Sequence, residues 1–214
     1  MEILKRIAGS LEKGEPDDVL RLVREALAAG SPAAAVLNDG LIAGMNVVGD
    51  KFKAHEIFLP EVLLAAKAMA AGMDELKPLL ISEKAPARGK VVLGSVQGDL
   101  HDIGKNLVGI MLKGAGFEVI DLGHDVAPER FAETAEREGA AVIGMSALLT
   151  TTMVNMRKTI DLLEKRGQRG RFRVIVGGAP VSREFADEIG ADAYAYDAAN
   201  AVDRMRELTG GGGR

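Results

Sequence analysis

The sequence of 214 residues contains no cysteine, which excludes disulfides and thiolate-bound metal and is compatible with a reducing cytoplasm. It also lacks a basic cluster. With a net charge of −4 and a pI near 5.5, no segment gathers the lysines and arginines that a nucleic-acid partner requires. No long apolar run is present either. The longest apolar tract, Phe58 to Met73, is interrupted by Glu61 and Lys67 and is too short to span a bilayer. The opening segment MEILKRIAGSLEKGEPDD alternates charged and apolar residues at helical spacing and has no apolar centre of the kind a signal peptide carries. A soluble, cytoplasmic protein with no membrane or nucleic-acid partner is expected.

Hydrophobic residues make up 47% of the chain, ample for a core, so no long span is expected to be disordered. The length suits one large or two small domains. Residues 1–81 read as helix only. Ile3, Leu4, Ile7 and Leu11 share one face up to Gly14, and Pro16 with Asp17 and Asp18 starts a second helix that continues to Gly30. Ser31 and Pro32 are expected as N-cap and first residue of a third helix, carrying Val36, Leu37, Leu41 and Met45 inward. A fourth begins near Pro60 and is expected to bury Val62, Leu63, Ala66, Met69 and Met73. Four helices with short connections predict a bundle.

Residues 82–89 lose all apolar periodicity and read as a linker. From Lys90 strands alternate with helices over residues 90–209. Strands are predicted at Lys90 to Val96, Phe117 to Leu122, Ala140 to Ser146, Phe172 to Val176 and Asp192 to Tyr196. Helices follow from Ile103, Pro128, Thr151 and Val181, with a last one from Ala198 to Leu208. Such alternation predicts an α/β, flavodoxin-like or Rossmann-like, doubly wound five-stranded parallel sheet in the order 2-1-3-4-5. Residues 210–214 read as a flexible tail.

The informative stretch is G-S-V-Q-G-D-L-H-D-I-G-K-N, from Gly94 to Asn106, at the turn from the first strand into its helix. Ligands of open parallel sheets bind at this edge. His101 stands there between Asp99 and Asp102, with Gly98 and Gly104 allowing a close backbone turn. An imidazole beside a carboxylate is oriented and made more basic by it, which suits an axial metal ligand or a general base. Asp99 alone could equally be a helix N-cap. Asp102 and Lys105 read as helix-start and surface residues.

The pattern Asp99-x-His101-x-x-Gly104, with Ser146-x-Leu148 and Gly177-Gly178 each at the end of a later strand, resembles the signature of cobalamin-binding domains. Upstream, Gly44 to Gly49 and Phe58 to Glu61 are similar to the helical cap of the corresponding module in cobalamin-dependent methionine synthase. The resemblance runs from about Met1 to Leu208 and is strongest to methyltransferase-associated corrinoid proteins. It implies cobalamin or a related corrinoid, carried as methylcobalamin, with His101 as lower cobalt ligand and Asp99 bonded to the second imidazole nitrogen. The implied contacts are Gly98, Asp99, Asp102, Ile103 and Gly104 in the loop, Ser146, Leu148 and Thr150 after the third strand, Gly177 and Gly178 after the fourth, and Tyr196 and Asp197 after the fifth. Thr152 falls where methionine synthase has a serine bonded to the aspartate. Phe52 and Leu59 correspond to residues that shield the upper corrin face.

By themselves several of these residues have plainer readings. Thr150 and Thr151 suit helix capping, Asp197 is as good an N-cap as a contact, and Phe52 and Leu59 suit a bundle core. His55-Glu56 resembles half of a metalloprotease pair, but no second histidine follows at helical spacing. His124 stands at the ligand edge of the sheet and is expected to touch corrin amides.

The function implied is a methyl carrier that cycles between cobalt(I) and methyl-cobalt(III), with no turnover of its own. Its partners would be a substrate-specific methyltransferase, an acceptor methyltransferase and a reductive activase. A response-regulator receiver is excluded because Ser146 stands where the third strand would need aspartate. A flavodoxin is excluded because Asp99 and Asp102 would repel phosphate. The alternative kept is a cobalamin-dependent sensor acting through protein contacts.

Overall fold

The computed structural model describes residues 2–83 and 88–210. They belong to two compact units, one of Met1–Ala87 with Gly114–Gly116 and one of Arg88–Lys113 with Phe117–Arg214. The first is entirely helical: α1 (Glu2–Glu12), α2 (Pro16–Ala28), the continuous run α3 (Ala33–Ala35), a π segment (Val36–Ile42) and α4 (Ala43–Lys53), then α5 (Leu59–Glu83). The expected bundle of four helices is present, with the third locally underwound.

Small residues set its close packing. A Cβ at Gly44 would lie 2.8 Å from the Ala8 carbonyl oxygen of α1, and one at Gly72 would meet the Leu41 side chain at 2.8 Å. The approach at Gly72 turns Val62, Ala65, Ala68, Met69 and Leu76 inward. The predicted inner face of α5 is therefore corrected: Leu63 is 47% exposed, and Ala66 and Met73 are only half-buried. The predicted Ser31 cap is corrected too, because the N-cap is Pro32 and no side chain bonds there. Of the predicted linker, residues 84–87 lie outside the described residues and Ser82 and Glu83 close α5.

The second unit holds β1 (Lys90–Ser95), α6 (Ile103–Gly114), β2 (Glu118–Asp121), α7 (Pro128–Glu138), β3 (Val142–Ser146), α8 (Val154–Lys165), β4 (Arg173–Gly177), α9 (Arg183–Glu188), β5 (Ala193–Ala195) and α10 (Ala198–Gly210). All strand pairs are parallel, and their order is β2-β1-β3-β4-β5, as the alternation predicts. Helices α8 and α9 begin later than expected. Thr150 to Met153 form a turn ahead of α8, and Ser182 caps α9 by accepting from the Phe185 N–H at 3.2 Å. Of the predicted tail, Gly210 ends α10 and residues 211–214 lie outside the described residues.

Side chains alternate across the sheet. Val92, Ile143, Met145, Val174 and Val176 pack with Phe131 of α7 and Met156, Ile160 and Leu163 of α8. Burying Phe131 completely contributes about 1.5–3 kcal/mol. The opposite face carries α6, whose Gly109 lies against Leu93. On that face the last register row crosses four strands as Ser95, Ser146, Gly177 and Ala195. Every side chain in this row, at the carboxyl edge of the sheet, is small.

Candidate functional site

The β1–α6 loop leaves the sheet at Ser95, turns at Gly98 with φ +81°, and returns through His101 to α6. Glycine is required at that turn because the left-handed region is costly for other residues. The Gly98 N–H donates to Asp125 Oδ1 at 2.7 Å, and the Asp99 N–H to the Val96 carbonyl at 3.0 Å. Asn155 of α8 donates from Nδ2 to the Gln97 carbonyl at 2.7 Å.

Asp99 is completely buried, and five donors converge on it. Its Oδ1 accepts from the His101 N–H at 3.1 Å and faces His101 Nδ1 at 2.9 Å. Its Oδ2 accepts from the N–H groups of Leu148 at 2.7 Å and Leu149 at 3.1 Å, and from Thr152 Oγ1 at 2.7 Å. Thr152 Oγ1 also lies 2.8 Å from the Leu149 carbonyl, but a carboxylate is the stronger acceptor for its single proton. Burial by itself would push the Asp99 carboxyl up. The bonds from Thr152, Leu148 and His101 outweigh burial and hold it well below the usual carboxylate range, so Asp99 is ionised.

The consequence lies in the imidazole. With Nδ1 donating to Asp99, a neutral His101 ring keeps the Nε2 lone pair free. The ring is half exposed, so this nitrogen is available to a metal outside the chain. Asp99 is not the cap of α6: both its oxygens are used elsewhere, and Asp102 stands at the N-cap position.

Lys105 departs from its expected place on the surface. It is 2% exposed in the first turn of α6, and its Nζ lies 2.5 Å from Asp121 Oδ1. Asp121 Oδ1 also accepts the Gly123 N–H at 2.9 Å. Burial opposes ionisation of Asp121, but Lys105 and this amide hold its carboxyl below the usual range.

Gly177 and Gly178 answer to the chain's own backbone. A Cβ at Gly177 would meet the Ala195 carbonyl oxygen at 2.7 Å, and one at Gly178 the Ala147 carbonyl oxygen at 1.9 Å. Gly104 is the reverse case: its absent Cβ would meet nothing within 4 Å. Asp197 Oδ1 accepts the Asn200 N–H at 2.6 Å and caps α10, the plainer of its two readings. Thr150, Thr151 and His124 are exposed.

Phe52 on α4 is half-buried, and Leu59 at the head of α5 is 36% exposed. His55 takes φ +59° immediately after α4, where the Glu56 N–H bonds the Lys51 carbonyl and the His55 N–H bonds that of Phe52. That pattern is a helix-terminating turn. Ser95, Leu149 and Asn155 were not singled out in the sequence. The only signal for Asn155 is its position three residues beyond Thr152.

The residues present fit a bulky, largely apolar ring bearing a metal. A nitrogen donor is oriented by a buried carboxylate, and a row of small side chains lies at the adjoining edge. Leu100, Ile103, Leu148 and Tyr196 are 66, 75, 44 and 59% exposed at that edge, so large apolar groups stand there beside the histidine. Among the described residues no three carboxylates, histidines or cysteines gather as a metal site.

Comparison with known proteins identifies the ring. Residues 89–205 match a family described as a B12 binding domain, and residues 3–77 match a second family of the same description. The chain belongs to the B12-binding corrinoid proteins. It is 44% identical over 208 residues to dimethylamine corrinoid protein 1 of Methanosarcina acetivorans, covering 97% of each. It is 40% identical over 213 residues to a corrinoid protein of Desulfitobacterium hafniense, covering 98% of this chain and 99% of that one. Among solved structures, the methanol:cobalamin methyltransferase complex MtaBC from Methanosarcina barkeri matches with a TM-score of 0.88 and 32% identity, over 98% of this chain and 80% of the other. The cofactor of this corrinoid protein is thus cobalamin or a related corrinoid. Among the described residues no helix is long and apolar enough to cross a membrane.

Proposed function

We propose that this corrinoid protein is the methyl-carrier subunit of a multi-component methyltransferase system, with His101 as lower axial ligand to cobalt. The bound corrinoid supplies a metal centre able to accept a methyl group and give it up again. The chain's own contribution is orientation. Asp99 holds Nδ1, so Nε2 is the nitrogen presented to the metal, and Thr152 with the Leu148 and Leu149 amides keeps the carboxylate ionised. Asp99 Oδ1, 2.9 Å from Nδ1, would hold the ring in one orientation whether or not Nε2 carries a metal.

The observation that carries this reading is the buried Asp99 carboxylate, with five donors and one oxygen on His101 Nδ1. Relatives named for dimethylamine and the methanol methyltransferase complex support partners of that class. We assign as partners a substrate-specific methyltransferase, an acceptor methyltransferase and a reductive activase. His101→Ala tests the ligand directly. The variant is expected to fold, to retain the corrinoid weakly and to show the absorption spectrum of a form without a nitrogen lower ligand. An unchanged spectrum would refute the assignment.

A further inference from the structure

We propose that Ser95 is a positioning residue for the ligand, holding the main chain of His101 to the sheet while the imidazole binds and leaves cobalt. This rests on the histidine-ligand reading above. Ser95 is the last residue of β1 and is completely buried. Its N–H donates to the Gly123 carbonyl at 3.0 Å and its carbonyl accepts from the Val126 N–H at 3.0 Å. The hydroxyl is therefore mounted on backbone fixed from both directions. It donates to the His101 carbonyl at 2.8 Å, closing the loop between residues six positions apart in sequence.

The loop is anchored unevenly. Its outgoing leg is tied at Gln97, Gly98 and Asp99 by Asn155, Asp125 and the Val96 carbonyl. On the returning leg, His101 itself is held by Asp99 and by Ser95. The Asp99 contacts include the ring, which would be the moving part when the metal bond forms or breaks. The Ser95 contact is to the main-chain carbonyl and does not involve the ring. It therefore keeps His101 within reach in both states, and the ligand returns without a search.

The test compares full-length protein loaded with hydroxocobalamin and reduced to cobalt(II), in wild-type, Ser95→Ala, Ser95→Thr and Ser95→Val forms. Paramagnetic resonance of cobalt(II) reports coordination by one nitrogen as a superhyperfine splitting. In Ser95→Ala the ratio of ligated to free cobalt should fall roughly fivefold, the factor that one net hydrogen bond is worth. Ser95→Thr, which keeps the hydroxyl, should restore it. In apoprotein, amide exchange at Leu100 and Asp102 should quicken in Ser95→Ala and not in Ser95→Thr. If Ser95→Ala fails to fold, the near-isosteric pair Ser95→Thr and Ser95→Val decides, with only Val losing ligation. Wild-type splitting and exchange in the hydroxyl-free variants would overturn the proposal. An absence of nitrogen splitting in the wild type would instead refute the ligand reading itself.

Discussion

Thr152 Oγ1 lies 2.7 Å from Asp99 Oδ2, across 53 residues of sequence, and neither residue is more than 7% exposed. A hydroxyl at this position is what the carboxylate needs; the threonine methyl is incidental. Thr152→Ser should therefore stay within about 1 kcal/mol of the wild type. Thr152→Val should cost about 1.5–3 kcal/mol, the range for hydrogen bonds to charged groups. Chemical denaturation of the apoprotein checks the difference. Equal losses in the two variants would show that the bond contributes little.

Gly104 has a helical position and open space around it, so nothing in the chain requires a glycine. Gly104→Ala should stabilise the apoprotein by about 0.5–1 kcal/mol, because glycine in a helix pays the larger backbone entropy. The same methyl would project at the edge that carries His101 and should weaken corrinoid retention. Paired melting and desalting measurements separate the two effects.

His55 occupies the left-handed residue of the turn that ends α4. Glycine takes that conformation without steric penalty, so His55→Gly should raise stability by roughly 0.5–1 kcal/mol. The histidine side chain is exposed there, and its loss removes little packing. A lower melting temperature in the variant would mean that the imidazole makes a contact worth more than the strain.

Lys105 and Asp121 give an asymmetric pair of predictions. Lys105→Met removes a buried cation and keeps most of its apolar stem, so it should be nearly neutral. Asp121→Ala strands that cation and should cost about 1–3 kcal/mol, discounted for the partial exposure of the carboxylate. The Asp121 carboxyl is held below its unfolded value. Its stabilisation is therefore present above the ordinary carboxylate pKa of about 4 and is lost as pH falls through the lower folded value. In Asp121→Ala the acid limb of the stability profile should be shallower than in the wild type, which urea titrations from neutral to acid pH measure.

The order of the sheet was legible because short strand-like runs alternate with helical crossovers, and parallel neighbours admit few topologies. The histidine loop was legible because its residues lie within one stretch of thirteen. The buried face of α5 was not. Sequence reading favours large apolar side chains, whereas Ala65, Ala68 and Gly72 go inward because they allow α5 to approach Leu41 and Val19. Lys105 was misplaced for a related reason: its acceptor lies on another strand, and a lysine read alone belongs in water.

The chain by itself determined which elements form and which imidazole stands at the ligand edge, since periodicity, turn residues and local spacing are properties of neighbours in sequence. Tertiary structure alone decided what surrounds that imidazole. Register across the strands set the row of small residues beside the histidine loop, and the β3–α8 turn brought Thr152 and two amides onto Asp99. Hydrogen bonds are short and directional, so partners more than fifty residues apart can be named only once the backbone has brought them within 3 Å.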